Sequence, residues 1–134
     1  MDERRPTVIR SRDVPAPPGP PTPGMDRRQL LDDGDRWIGW VRTEAGVAGG
    51  WHHHGERDSY VYVIDGSIDI EFGPGGRERV TAGPGDVVVN PREAIHREVT
   101  GPDGPAELFV VRVGPGPLTV NVEGPDRLPE SVPG

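Results

Sequence analysis

Turns rich in glycine and proline recur between short apolar runs from Trp37 to Val113, and this spacing limits the folds open to the chain. The predicted strands are four to eight residues long, and almost no segment has the periodicity of a helix. Short strands at this spacing predict an all-β sandwich or barrel. The predicted strands are Trp37–Thr43, Ser59–Ile64, Ile68–Phe72, Glu78–Thr81, Asp86–Val89, Ile95–Thr100 and Glu107–Val113.

The two ends of the chain are dense in proline and predict a different organisation. Residues 1–24 are expected to form an extended, Pro-rich arm, because proline fixes φ and removes a hydrogen-bond donor. Within it Thr7–Arg10 could be a short strand, either in a partly ordered tail or paired with the edge of a partner's sheet. Residues 25–122 are expected to form a single β domain, in which Met25–Asp35 could make one helical turn and Leu118–Val122 a last strand. Residues 123–134 are expected to be a tail.

Composition excludes several classes of function. A net charge of −7 argues against a nucleic-acid partner, whose phosphates need a basic face. No apolar stretch approaches the ~20 residues needed to span a bilayer, so no membrane partner is expected. The chain has no cysteine, which excludes disulfides and thiol catalysis and is consistent with the cytoplasm. All 15 basic residues are arginine, which excludes a lysine Schiff base and, with the many Gly and Pro residues, suggests a bacterial source.

Three of the four histidines are consecutive, at His52, His53 and His54, and the fourth is His96. On a strand His52 and His54 project to one side and His53 to the other. Two imidazoles on one side and a third from another strand could hold a divalent ion at about 2.0–2.2 Å. From these residues alone, an exposed polar or pH-sensitive cluster is an equal alternative.

The residues around the histidines resemble the two motifs of the cupin family. Gly46-x5-His52-x-His54-x4-Ser59-x6-Gly66 is similar to G-x5-H-x-H-x3,4-E-x6-G, and Gly85-x5-Pro91-x-Glu93-x2-His96-x3-Thr100 is similar to G-x5-P-x-G-x2-H-x3-N. The resemblance covers about residues 37–113. It implies an antiparallel jelly-roll barrel with ligands inside its mouth, a metal held by His52, His54 and His96, and a homodimer.

Two departures from the motifs bear on the metal. The family's Glu falls on Ser59 and its Asn on Thr100, which leaves three neutral imidazoles for one divalent ion; Fe, Mn, Zn, Ni, Co and Cu all remain open. Such a site would favour an anionic or enolate substrate. Ser59 could hold a water, and Asp58 is a substitute carboxylate. Glu98 could be a ligand, a partner that orients a histidine, or the catalytic general base.

Residues on strands beside the motifs are candidates for a substrate pocket. Trp37 and Trp40 are three residues apart on one predicted strand, so they point to opposite faces and one of them could line the pocket. Trp40 is the candidate for the pocket wall. Arg42 and Arg112 could clamp a substrate carboxylate or form salt bridges with Glu44, Glu98 or Glu107. Either the face of Ser59 or the opposite face lines the cavity; the opposite face carries the candidate pocket residues Tyr60 and Tyr62.

The expected function is therefore a metal-dependent enzyme for a small molecule, of dioxygenase type or an isomerase, cyclase or lyase. The alternative is a cupin that binds a small ligand or metal without catalysis. A metal-free sugar-nucleotide epimerase of the related barrel type would need a His–Asp pair and a Tyr acid, and that pattern is not visible in the sequence.

Overall fold

The computed structural model describes residues 4–15 and 23–126, which form two antiparallel five-stranded sheets. The first, sheet A, has the strand order β1-β2-β9-β4-β7, and the second, sheet B, has the order β10-β3-β8-β5-β6. This arrangement confirms the predicted all-β, antiparallel jelly roll. The strands are β1 (Met25–Asp32), β2 (Arg36–Thr43), β3 (His52–His53), β4 (Asp58–Asp65), β5 (Ile68–Phe72), β6 (Glu78–Ala82), β7 (Val87–Asn90), β8 (His96–Thr100), β9 (Ala106–Val113) and β10 (Val120–Asn121).

The core lies between the two sheets at one end of the sandwich. Val61 and Val63 of β4 alternate with exposed neighbours, and Val63 is directly opposite Leu108 on β9. On sheet B, Ile68 is paired with Thr100, whose hydroxyl is 2.6 Å from that of Thr43 on sheet A. This hydrogen bond between the sheets shows that the same end of both sheets is packed and closed.

Strand β1 corrects the expectation of a helical turn at Met25–Asp35. It pairs with β2 along its length, with a bulge between Gln29 and Leu31. The hairpin closes on the side chain of Asp33, which accepts a hydrogen bond from the Arg36 amide at 2.9 Å, beside Gly34 with a φ of 93°. Charged side chains suit an edge strand, where one edge has no neighbour to pair with. Asp-Gly pairs are common in turns between antiparallel strands.

The N-terminal segment differs from the expected strand at Thr7–Arg10. Those residues form no strand among the described residues, and a 3-10 helix follows at Ser11–Asp13. Most of the proline-rich run, at residues 16–22, lies outside the described residues, as do residues 127–134. The division into arm, barrel and tail therefore stays a prediction. Within the described ranges no helix is long and apolar enough to cross a membrane.

The outer faces of the two sheets differ in chemistry. On sheet B an ion-pair network covers the surface, in which Glu71 bridges Arg97 at 2.7 Å and Arg79 at 3.1 Å. On sheet A the outer face formed by β4, β7 and the end of β9 is apolar, although it is open to solvent. Its exposed side chains are Tyr60, Tyr62, Ile64, Val87, Val89 and Val113.

Candidate metal centre

Strands β3 and β8 bring three histidines together at the end of the sandwich opposite the core. His52 and His96 are register partners, and His54 follows β3 directly. The ring centroids are 4.5–5.2 Å apart, and one ligand atom from each ring lies within 4.8 Å of the other two. The sequence prediction that His52, His54 and His96 could converge is thus matched by a cluster of imidazoles compatible with a metal site.

Backbone carbonyls fix the tautomer of each ring. The Nδ1 atoms of His52, His54 and His96 lie 2.8, 2.8 and 2.9 Å from the carbonyl oxygens of Gly50, Leu118 and Ala94. A carbonyl oxygen can only accept, so each Nδ1 donates its proton. Each Nε2 is then the nitrogen left to bind a metal.

Burial keeps two of the rings in the form that binds metal. It lowers the pKa of His52 below 6.5, and it lowers the pKa of His54 to about 3, with the positive charge of Arg112 adding to the effect on both. Both imidazoles are therefore neutral at pH 7, and neutral imidazole is the ligand form. A donor set of three imidazole nitrogen atoms fits a divalent transition metal.

The Glu98 carboxylate lies against two of the three rings. Its Oε2 is 3.1 Å from Nε2 of His96, and its Oε1 is 3.9 Å from Nε2 of His52. Burial by itself lowers the pKa of His96, but the hydrogen bond and charge of Glu98 raise it overall. Burial opposes ionisation of Glu98, yet His96 and the other histidines lower its pKa to about 2. Glu98 is thus an ionised carboxylate beside the Nε2 atoms.

Sheet A faces the histidines with a cationic group. Arg112 of β9 lies between Trp37 of β2 and Ser59 of β4 in the strand register. Its guanidinium stacks 4.8 Å from the Trp37 ring centroid, and burial lowers its pKa to about 10. The indole lies over Gly39, where a Cβ atom would collide with the ring. Gly39 therefore makes room for Trp37, and Trp37 holds the guanidinium.

The loops beside the histidines are connected to each other by a hydrogen bond. The amide of Glu93 donates to the carbonyl of Gly55 at 2.9 Å, which connects the loop before His96 to the loop after His54. Glu93 takes the position of a motif glycine and has a φ of 61°, a left-handed conformation that a side chain disfavours. The glycine at this position of the motif was the signal in the sequence for a left-handed conformation.

An apolar cavity of about 440 Å³ opens beside the triad. It lies between β5 and β6 of sheet B and β7 of sheet A, and the ring of His96 is part of its lining. Asn90 is the other polar side chain there. The remaining lining residues are Ile70, Phe72, Gly73, Val80, Val88, Val89, Pro91, Ala94 and Ile95.

Five candidate residues from the sequence are not brought to the triad. Tyr60 and Tyr62 are exposed on the outer face of sheet A, because the inner face of β4 carries Ser59, Val61 and Val63. Asp58 accepts from the Arg92 amide at 3.0 Å, and Arg42 pairs with Glu44 at 3.1 Å on an exposed surface.

Trp40 is the fifth of these residues, and the tryptophan that faces the inside of the barrel is Trp37. Trp40 lies on the outer face of β2, where its indole donates to Glu107 at 2.6 Å. Trp37 is on the inner face, since the alternation of β2 places one tryptophan on each side. The sequence analysis missed Asn90 as well. Its signal was weak: a polar residue at the end of the apolar run Val87–Val89.

A comparison with protein-family models matches residues 39–112 to the Cupin domain. The matched span contains all four histidines, Glu98 and Arg112. No curated protein matches the chain.

Solved structures with the same fold include several proteins at low identity. The chain is similar to the polyketide cyclase RemF from Streptomyces resistomycificus, with 23% identity and a TM-score of 0.72 over 92% of this chain and 89% of that one. KdgF from a Halomonas species has 22% identity and a TM-score of 0.67, over 82% of this chain and 96% of that one. A sugar phosphate isomerase from Silicibacter pomeroyi has 22% identity and a TM-score of 0.65, over 80% of this chain and 75% of that one. At these identities the likeness shows the fold.

Proposed function

The chain belongs to the cupin family, and on that premise we propose that it is a metal-dependent enzyme that acts on a small molecule. The ligands are His52, His54 and His96. The observation that carries the proposal is the set of three Nδ1–H bonds to backbone carbonyls, which leaves the three Nε2 atoms as the nitrogens that can bind one ion. A divalent ion bound there would supply a Lewis acid that polarises a substrate oxygen.

Glu98 is the proposed general base. It is ionised, and its Oε2 lies 3.1 Å from Nε2 of His96, beside the nitrogen atoms that would hold the ion. A carboxylate in that position can take a proton and return it to a neighbouring carbon. Isomerases, cyclases and lyases use such a transfer. The names of two structural relatives, a polyketide cyclase and a sugar phosphate isomerase, are consistent with this class.

A dioxygenase is the second candidate. Three neutral imidazoles without an anionic protein ligand also suit Fe(II). The metal identity therefore separates the two chemistries.

Metal content is the first test. Untagged protein and the variants His54→Ala and His53→Gln are analysed for metals by mass spectrometry, before and after reconstitution. His53 lies outside the triad and accepts from the Gly55 amide at 2.9 Å, a bond that glutamine can keep. We expect nearly one metal ion per chain in the wild type and in His53→Gln, and a large loss in His54→Ala. No metal in any of the three after reconstitution would contradict the proposal.

Proton transfer is the second test. Phenylpyruvate in D₂O is the probe, and exchange at its C3 position is followed by NMR with the metal-loaded protein. We expect Glu98→Gln to keep its metal and to lose about 10²–10⁴-fold in exchange rate. Oxygen consumption by an iron-loaded protein would favour the dioxygenase instead. A metal-loaded protein that binds the probe with neither reaction would indicate a cupin that binds without catalysis.

We also propose that the chain forms a homodimer through the outer face of sheet A. Solvent-exposed apolar patches of this kind mark interaction sites. The charges at the β1–β2 margin are paired within the chain, as Arg28–Asp26 and Arg42–Glu44, so a second copy meets no like-charge repulsion there. Sedimentation should give a dimer that dissociates in Val89→Glu and persists in Val80→Glu, a matched change on sheet B. A monomeric wild type would overturn this.

A further inference from the structure

Three buried polar side chains lie in one row across adjacent strands of sheet A. Ser59 of β4 is the register partner of Asn90 on β7 and of Arg112 on β9. All three alternate with outward-facing neighbours, so their side chains share the inner face, which looks toward the histidines. Ser59 is 1% exposed and Asn90 is 5% exposed.

One polar atom of each residue in this row has no hydrogen-bond partner among the described residues. These atoms are Oγ of Ser59, Nδ2 of Asn90 and Nε of Arg112. A buried polar group without a partner costs about 1–3 kcal/mol. Three such costs in adjacent positions are unusual for a stable core, and they are expected where a ligand supplies the missing partners.

All three atoms can donate a hydrogen bond, and one of the three groups is a cation. A ligand that satisfies them together must present acceptor oxygens, and the guanidinium favours oxygens that carry negative charge. Carboxylates and enolates have that chemistry, and hydrogen bonds to them are the stronger kind. The cavity beside the row is lined mainly by aliphatic and aromatic side chains and shares Asn90 with it. The rest of the same ligand would be apolar.

We infer that Asn90, Ser59 and Arg112 form an oxyanion-binding row that holds the carboxylate or enolate head of an amphipathic substrate, with its apolar body in the cavity beside His96. The inference rests on the proposed function, because it places this head opposite the same three histidines. It assigns a substrate class to the site, and it gives Ser59, at the position of the motif's glutamate, a role in substrate binding.

The charge at the site favours an anion with or without a metal. Without a metal, the row itself carries the guanidinium of Arg112, which stacks on Trp37 and whose Nε has no hydrogen-bond partner among the described residues. A divalent ion held by the three imidazoles would add two further positive charges. The row should therefore bind an anion even in metal-free protein.

The test compares two probes of nearly the same shape, 3-phenylpropanoate and its neutral amide, 3-phenylpropanamide. Dissociation constants are measured by calorimetry on the full chain, after removal of metal by a chelator and again after reconstitution. We expect the carboxylate to bind at least about tenfold more tightly than the amide in both forms. Arg112→Met should reduce this preference about tenfold or more, and Ser59→Ala and Asn90→Val should each reduce it several-fold.

Arg42→Met is the matched control, since it also removes one positive charge but from the outer face of sheet A, where Arg42 pairs with Glu44. It should leave the preference unchanged. Thermal melting shows whether each variant is folded. If Arg112→Met does not fold, the carboxylate preference of Ser59→Ala still tests the row.

The outcomes separate this inference from the proposed function. A carboxylate preference in a protein that never binds metal would support the row and contradict the metal-dependent enzyme. A preference that appears only with metal and survives Arg112→Met would overturn the row, because the ion alone would then hold the head. Equal binding of the two probes in both forms would also overturn it.

Discussion

The two ends of the barrel are made from the same strands but are built differently. At one end Val63, Leu108 and Ile68 exclude water, and the two hydroxyls buried there, on Thr43 and Thr100, bond to each other. At the other end the same sheets carry Ser59, Arg112, Asn90, His96 and Phe72, and several buried polar atoms lack a partner among the described residues. The core end provides the stability that the site end gives up.

The largest effect is expected from a cavity at the core end. Ile68→Ala should lower the free energy of unfolding by about 2–5 kcal/mol, because its side chain is 1% exposed and the space cannot close fully. Urea unfolding measures this. Val80→Ala, at a site 48% exposed, should cost less than about 0.5 kcal/mol. A similar loss in both variants would show that the core end is not where stability is concentrated.

Metal binding should strengthen the site end specifically. A divalent ion at 100 times its dissociation constant should stabilise the wild type by about 2.7 kcal/mol, because it binds only the folded chain. Thermal melts across metal concentrations measure the gain. It should disappear in His54→Ala and persist in His53→Gln. Equal gains in these two variants would place the ion elsewhere.

Removing one hydroxyl group should change the free energy of unfolding in opposite directions at the two ends of the barrel. Ser59→Ala should raise stability by about 1 kcal/mol, because the Ser59 hydroxyl is buried without a partner. Thr43→Val should lower it by about 1 kcal/mol, because it leaves the Thr100 hydroxyl unpaired. Both are measured by urea unfolding. Changes of the same sign would remove the contrast between the ends.

A substitution in the loop before His96 should give a smaller gain in stability. Glu93→Gly should stabilise the fold by about 0.5–1 kcal/mol, since relief of a left-handed conformation exceeds the added backbone entropy. Chemical unfolding measures it, and Glu93→Ala, which keeps the strain, is the control. A loss of stability in the glycine variant would show that the Glu93 side chain contributes more than its backbone costs.

The smallest effect on stability is expected from the ion pairs on the outer face of sheet B. Hydrogen bonds from Arg97 and Arg79 hold the pKa of Glu71 below its usual 4.5. A lowered pKa gives stability that is present above 4.5 and lost as the pH falls through the lowered value. The difference in melting temperature between the wild type and Glu71→Gln should therefore shrink in acid. A difference that stays constant down to about pH 3 would contradict this assignment.

The sequence predicted most of the fold and the three histidines that cluster, but not the details of the pocket. Alternation and Gly-Pro turns placed seven strands, and the spacing of two motifs identified three histidines. Each face of β2 has one tryptophan, so the pattern could not say whether Trp37 or Trp40 faces the inside of the barrel. Trp37 does, and Gly39 leaves the space that its ring occupies. Nor could it pair Ser59 with Asn90 and Arg112, because that row depends on the register between strands distant in sequence.

The partners that orient the three histidines have a consequence for how this site can change over generations. Each Nδ1 proton is held by a main-chain oxygen, at Gly50, Ala94 and Leu118. Every residue type has that oxygen, so no replacement of a side chain at those positions removes the acceptor itself. The surrounding loops are free to vary in sequence as long as their path is kept. Selection can thus change the side chains around the site while the three imidazoles stay oriented.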